Sequence, residues 1–387
     1  MTPPPRRLWL RVFTTAFAAA ALAWVAGGQA LLGRIDPALV TPLLLPAMLL
    51  LAWWQRQEGV RIRRRTALLT LLTLAVLQGA LASVLAGWVP WLQLAFAILA
   101  GGAAALLADA LIQWRARSAA LRWLAVASLA AAWFGAGHAL LAGLYRAGTA
   151  PPGSPAATVI TGLPLRWSGG GDIAALIAEG GRDDPALRRL EAAGPVALAD
   201  SLIDHVPPPG GALLLAHPRA LAPQELVAID AFVRGGGRAV ILADALSGWP
   251  APHPLGDPRN PPVTSLLTPL LGHWGIALGT APVEEAVPRA VDVGRARLQL
   301  FSAGRFDRLP SNCGAFAGGR IALCRIGRGE AWLVGDADLL FVPLWRPPVS
   351  GAAHLRQADT MEWLSARLWR GAGNGLLQPV WIRARGN

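Results

Sequence analysis

The sequence predicts an α-helical membrane bundle of five transmembrane helices, followed by an α/β domain with a mostly parallel sheet. Three observations predict it. The 387-residue chain is 54% apolar and only 15% charged, and five apolar segments crowd into its first 145 residues. Its arginines gather in the short stretches between those segments. Beyond Pro151, short apolar runs alternate with amphipathic patterns, as in a sheet covered by helices.

The five segments run from about 8–32, 38–54, 66–89, 91–112 and 120–145. A spanning helix needs about 20 largely apolar residues. The second segment is the shortest and carries Pro42 and Pro46. Charge placement nevertheless requires it. With a cytoplasmic N-terminus and five spans, the inner stretches hold Arg6, Arg7 and Arg11, then Arg56, Arg61, Arg63, Arg64 and Arg65, then Arg115, Arg117 and Arg122. Only Arg34 and Arg146 fall outside, so eleven arginines face two, as the positive-inside rule demands. Without the second span, one of the inner clusters would move outside. Trp9, Trp53, Trp54, Trp88, Trp91, Trp114 and Trp123 sit at segment ends, as an interfacial belt requires. Small residues such as Gly101, Gly102, Gly135 and Gly137 permit close helix approach. Asp109, one turn from the interface, reads as an ion-pair partner for Arg115, and the lone His138 as a packing or interfacial residue. The long first segment reads as an uncleaved signal-anchor.

This assigns residues 1–147 to the membrane domain, at the bacterial inner membrane. Its 13 arginines face three acids, a net of +10, against +2 for residues 151–387. The high basicity is therefore a topology signal, and no nucleic-acid partner is expected. All 35 basic residues are arginine. Without lysine the chain has no P-loop lysine, Schiff-base lysine, Ser–Lys pair or kinase-type lysine.

A Pro/Gly/Ser-rich linker at 148–157 leads to an extracytoplasmic domain at 158–372, with a tail at 373–387. The strands read as 157–161, 195–200, 211–218, 239–243, 296–303, 320–327 and 330–338. Helices read near 172–192, 223–234, 264–278 and 358–370. The short turn between the last two strands predicts an antiparallel hairpin at the end of the sheet. The clearest unit is "LLLAHPRALAPQELVAIDAFVRGGGRAVILAD". Leu213, Leu214 and Leu215 suit a strand buried on both faces. Pro223 suits a first helical turn. Leu226, Ile229 and Val233 form one stripe, and Gly235–Gly237 stop the helix. Gly169–Gly171 with Ala174 matches G-x-G-x-x-A, but it starts well past the strand and reads better as a flexible loop than as a dinucleotide site.

"TVITGLPLRWSGGGD", this βαβ unit and "GRGEAWLVGDADLL" together resemble a family of bacterial envelope proteins. These are auxiliary components of gliding-motility-type ABC transport systems (GldG-like) and related domains with a class I glutamine amidotransferase-like fold. The resemblance covers about residues 157–370. It implies a flavodoxin-like α/β domain tethered to membrane helices, and partnership with an ABC transporter or other envelope complex. Five N-terminal helices exceed the family's usual number.

An amidotransferase-like enzyme would place a nucleophilic Cys after a central strand. Here "ILADALSGW" offers Asp244 and Ser247 instead, and Ser247 lacks a nucleophile-elbow setting. The two cysteines, Cys313 and Cys324, flank a Gly-rich turn between extended segments and are expected to form a disulfide. The competing use is a Cys313–His354–Asp359 nucleophile site. Asp200, Asp244, Asp336 and Asp338 fall at strand C-termini, the edge where open α/β sheets bind ligands. Converging there they could hold a cation; helix caps and turns are the competing reading. Trp249 lies in a Pro-rich loop at the same edge. His205, His217, His253 and His273 have no metal-ligand spacing. The expectation is an accessory protein that binds a partner or ligand, with no catalytic residues, metal set or cofactor. The alternatives are an extracytoplasmic hydrolase and a permease-like subunit.

Overall fold

The computed structural model describes residues 5–114, 118–166, 183–251, 253–254, 256–257, 259–281, 287–373 and 375–383. The chain divides into two compact units. The first comprises Met1–Arg146, Pro347–Arg356 and Gly375–Arg383; the second comprises Ala147–Arg346, Gln357–Asn374 and Ala384–Asn387.

The first unit contains α1 (Pro5–Val25), α2 (Gln29–Leu32), α3 (Thr41–Trp54), α4 (Val60–Leu85), α5 (Trp91–Gln113) and α6 (Ala119–Leu144). Among the described residues, five helices are long and apolar enough to cross a membrane, one of them the Pro-containing Pro37–Trp54. That helix packs against α1, α5 and α6 and is the most buried of the five. Pro42 falls in its first turn, where no amide donor is needed. Small residues make the contacts close. A Cβ at Gly137 would lie 3.1 Å from Pro42 Cα, and one at Gly101 would lie 2.3 Å from Leu71 Cδ2.

The first apolar segment does not continue as one helix to residue 32. It ends at Val25, and Gly28 (φ +77°) turns the chain before α2. Asp109 pairs with Arg63 of α4; the expected pairing with Arg115 falls outside the described residues. The guanidinium Nε lies 2.6 Å from Oδ1 and Nη2 lies 3.1 Å from Oδ2. A helix neighbour in space supplies the partner.

The second unit is a mixed α/β domain. Its strands are β1 (Ala157–Thr161), β2 (Val196–Leu198), β3 (Ala212–Ala216), β4 (Arg238–Leu242), β5 (Ala277–Leu278), β6 (Arg289–Val293), β7 (Ala296–Leu300), β8 (Phe306–Arg308), β9 (Cys313–Phe316), β10 (Ile321–Ile326) and β11 (Gly329–Val334). Its helices are α7 (Pro185–Glu191), α8 (Pro223–Arg234), α9 (Thr268–His273) and α10 (Thr360–Leu368). The main sheet has the order β2-β1-β3-β4-β11-β10-β9. β1 pairs in parallel with β2 and β3, and β4 in parallel with β3 and β11. β10 runs antiparallel to both β11 and β9, so the expected terminal hairpin carries one further strand.

Strand alternation divides the core between the two faces. Leu214 and Val240 join α7 and α10 through Leu187, Leu190, Met361 and Leu364. Leu213, Leu215 and Ile241 join α8 and α9 through Ile229, Val233, Leu270 and Leu271. The central β3 is thus buried on both sides, as its unbroken leucine run required. The carboxylate of Glu225 accepts the Ala222 amide at 2.7 Å and fixes the start of α8. Gly236 (φ +112°) helps turn the chain into β4.

The expected helix over 264–278 is reduced to α9. Gly275 (φ +77°) reverses the chain, and Ala277–Leu278 extend to pair with β8. The run at 296–303 enters a separate hairpin: β7 pairs with β6 across a turn containing Gly294 (φ +66°), outside the main sheet. Of the helix expected near 172–192 the described residues show α7; 172–182, like Gly169–Gly171, lie outside them.

Cys313 and Cys324 stand opposite each other on β9 and β10 and form the expected disulfide, with Cα atoms 4.0 Å apart. A loop of this length contributes about 3 kcal/mol by restricting the unfolded chain. Replacing both cysteines by alanine is expected to cost about that much. Thermal unfolding of oxidised wild type and the double variant measures it. Equal midpoints would show that the bond adds nothing.

Candidate functional site

The site follows from sheet register. Leu242 and Val334 are the last paired residues of β4 and β11. Two residues further along each chain stand Asp244 and Asp336, and two beyond the latter stands Asp338. Parallel neighbours that end together deliver equivalent positions to one edge, so the three carboxylates converge. One ligand oxygen from each lies within 4.8 Å of the others, a grouping that could hold a metal ion. All three side chains are buried.

Local hydrogen bonds hold each acid. Asp244 accepts the Leu246 amide at 3.1 Å and the Ala337 amide at 3.2 Å. Asp336 accepts the amides of Phe301 and Asp338, both at 2.7 Å. Asp338 accepts the Gly248 amide at 2.7 Å and the Ser247 hydroxyl at 3.4 Å. The cluster therefore ties together the loops after β4 and β11 and the end of β7.

Burial dominates the electrostatics. It pushes the Asp244 carboxyl up to about 8, with repulsion from Asp338 adding to it. Burial pushes Asp338 up to about 6, and the Gly248 amide and Ser247 hydroxyl restrain the rise. Asp336, wholly enclosed and facing both other acids, is pushed well above the carboxylate range. Near neutral pH the cluster holds protons, and a protonated Asp244 donates to Asp338. A hard divalent cation would displace such protons in favour of oxygen ligation.

The other expected site residues fall differently. Asp200, just past β2, is exposed and is not among the converging acids. Trp249 is 8% exposed and packs edge-on to Phe341, with ring centroids 5.7 Å apart. Its backbone follows Gly248, which donates to Asp338, so it borders the cluster through the chain. The Cys313 nucleophile is consumed by the disulfide. Asp359 accepts the Arg297 amide at 3.0 Å, and the His354 ring meets His138 at 2.9 Å. Sequence reading missed Ser247, Gly248 and Phe301 as partners of the acids. A Ser-Gly pair three residues after Asp244 was a usable signal for the first two; Phe301 carried none.

The Pro-rich loop after Trp249 walls an open cavity of about 540 Å³, bordered by Arg219, His253, Asp257 and Asn260. The Arg259 guanidinium holds the half-buried Asp257 well below the usual carboxylate range. His217, with φ +50°, places Nε2 2.7 Å from the Pro262 carbonyl and anchors the loop's far end.

A second buried polar group belongs to the first unit. Arg34 donates to the carbonyls of His354 and Arg356 and lies 4.1 Å from the centre of the Trp381 ring. Asp36 accepts the Tyr145 hydroxyl at 2.6 Å, and Arg356 donates to the Tyr145 carbonyl at 3.0 Å. His138 thus has a partner in His354, which sequence spacing could not reveal.

No curated protein matches the chain. Solved structures with similarity include an exo-β-1,4-mannosidase, Op5Man5, from Opitutaceae bacterium strain TAV5 (12% identity, TM-score 0.32). That match covers 63% of this chain but 38% of the mannosidase. The mmIFT52 N-terminal domain matches at 13% identity and TM-score 0.31, over 46% of this chain and 88% of its own. A cold-adapted β-galactosidase from Rahnella sp. R3 matches at 15% identity and TM-score 0.29, over 64% of this chain and 35% of its own. At these scores the likenesses carry no argument about activity. In sequence, residues 195–296 match the family model described as an ABC-type uncharacterized transport system. The matched segment runs from the residue before β2 to the first residue of β7 and contains the βαβ unit whose motif resembles this family.

Proposed function

We propose that the protein is a non-enzymatic, membrane-anchored accessory component of an ABC transporter or related envelope complex. Its α/β domain engages a partner or ligand through the sheet edge bearing Asp244, Asp336 and Asp338. The observation that carries this reading is the family match at 195–296 in a chain that also has five apolar helices. In this reading residues 1–147 anchor the protein in the bacterial inner membrane, 148–157 are a linker, and the flavodoxin-like, amidotransferase-related domain at 158–372 lies on the periplasmic side. The arginine distribution supports that orientation. The absence of lysine and the pairing of both cysteines support a binding role over nucleotide hydrolysis or thiol acyl transfer.

Co-purification of the full chain from native membranes tests the assignment. A nucleotide-binding ABC subunit is expected in the complex; repeated isolation of the chain without one contradicts it. Protease added to spheroplasts tests the orientation. Cleavage beyond Pro151 is expected from the outside, and cleavage only from the cytosolic face would overturn it.

A further inference from the structure

The helical unit contains a groove that its anchoring role leaves unexplained. α3, α4 and α5 surround a cavity of about 280 Å³. One end is apolar, lined by Met48, Leu51, Leu71 and the exposed Leu106. Its other end is polar, with Gln55, Arg63, Arg64 and Asp109. At 1.5 Å per helical residue, the polar end lies about 5–12 Å along each helix from the apolar residues.

The polar groups are unequal. Arg63 is spent on Asp109 and on the Glu58 carbonyl, the latter at 2.6 Å. Glu58 in turn pairs with Arg11 at 3.1 Å. These pairs use both acids of this end, while Arg64 is exposed and has no acid partner among the described residues. Gln55 is 3% exposed, and its side-chain carbonyl Oε1 has no donor. A buried acceptor without a donor is costly, so this atom marks a place where a ligand hydroxyl would be stabilised. At Gly102, in the groove wall, an added Cβ would meet nothing within 4 Å.

We propose that this groove binds one anionic phospholipid. An acyl chain fills the apolar slot, the phosphate rests on Arg64, and a glycerol hydroxyl donates to Gln55 Oε1. The apolar lining, set between helices of membrane-spanning length, suits an acyl chain. The charge selects the headgroup, because basic pockets between membrane helices favour acidic lipids.

Full-length protein released from nanodiscs of equal phosphatidylglycerol and phosphatidylcholine, then weighed by native mass spectrometry, tests the site. One tightly held phosphatidylglycerol per chain is expected. Arg64→Gln should cut its excess over phosphatidylcholine about fivefold. Arg61→Gln, exposed on the same helix but outside the groove, should change it less than twofold. Gly102→Leu should reduce retention of both lipids. Equal retention of the two lipids, equal losses in the two arginine variants, or unchanged retention in Gly102→Leu would overturn the proposal. So would photocrosslinking from Leu106 that captures protein instead of lipid.

Discussion

Asp336→Ala is expected to destabilise the α/β domain by about 3 kcal/mol at pH 5 and by much less at pH 8.5. The carboxyl of Asp336 accepts two backbone amides at 2.7 Å in a fully buried setting. Alanine leaves both amides without acceptors, each at a cost of about 1–3 kcal/mol. At pH 8.5 an opposing effect grows. Asp338 and Asp244, raised to about 6 and about 8, lose their protons as pH rises, and the native cluster then gathers negative charge. Between pH 4 and 8 the folded chain binds more protons at these sites than the unfolded chain. Stability from the cluster is therefore fully present near pH 4 and is lost as pH rises through 6 and then 8. Asp336 is itself raised well above the carboxylate range, so removing it removes its share of that pH-dependent loss and the variant's deficit shrinks at high pH. Thermal unfolding of the detergent-solubilised chain at the two pH values reads the difference. An equal deficit at both, or a larger one at pH 8.5, would rule out a proton-held cluster.

Arg34→Met is expected to lower the stability of the helical unit by about 3–5 kcal/mol. The wild-type guanidinium is wholly buried and donates to the carbonyls of His354 and Arg356. It also offsets the charge of Asp36, which is equally buried. Burial pushes the Asp36 carboxyl up, while the Tyr145 hydroxyl and Arg34 pull it back. Methionine fills the volume but strands the acid and two carbonyls. Adding Asp36→Asn to Arg34→Met should recover part of the loss, since the stranded charge disappears and the carbonyls remain unpaired. Melting midpoints in detergent measure all three chains. A double variant no more stable than Arg34→Met would show that the charge of Asp36 is not what Arg34 balances.

The elements legible in sequence were those fixed by local pattern. The leucine run of β3, the stripe of α8 with its glycine stop, and five apolar segments each specify one structure whatever surrounds them. That Asp244, Asp336 and Asp338 follow strand ends was readable too, but their convergence depends on β4 lying beside β11, which the structure supplies. Asp200 follows a strand end too, yet β2 lies three strands from β4 at the edge of the sheet, and strand order is not written locally. The same limit explains Asp109. Its partner Arg63 sits one helix away and 46 residues earlier, a pairing that sequence distance does not suggest. The helix expected over 264–278 failed because Gly275 adopts φ +77° after a single apolar turn and the chain leaves to pair with β8. Arg34, His354 and Arg356 could not be associated from sequence, because more than 300 residues separate the partners.

The central claim is that the carboxylate edge of the α/β domain is where this protein meets an ABC transport complex. A photoreactive residue in place of Leu246, which is 48% exposed beside the cluster, tests it in native membranes, with Val227 on α8 as the control. Adducts with transporter subunits from position 246 and few from 227 are predicted. Equal labelling from both positions, or none from 246, would contradict the claim.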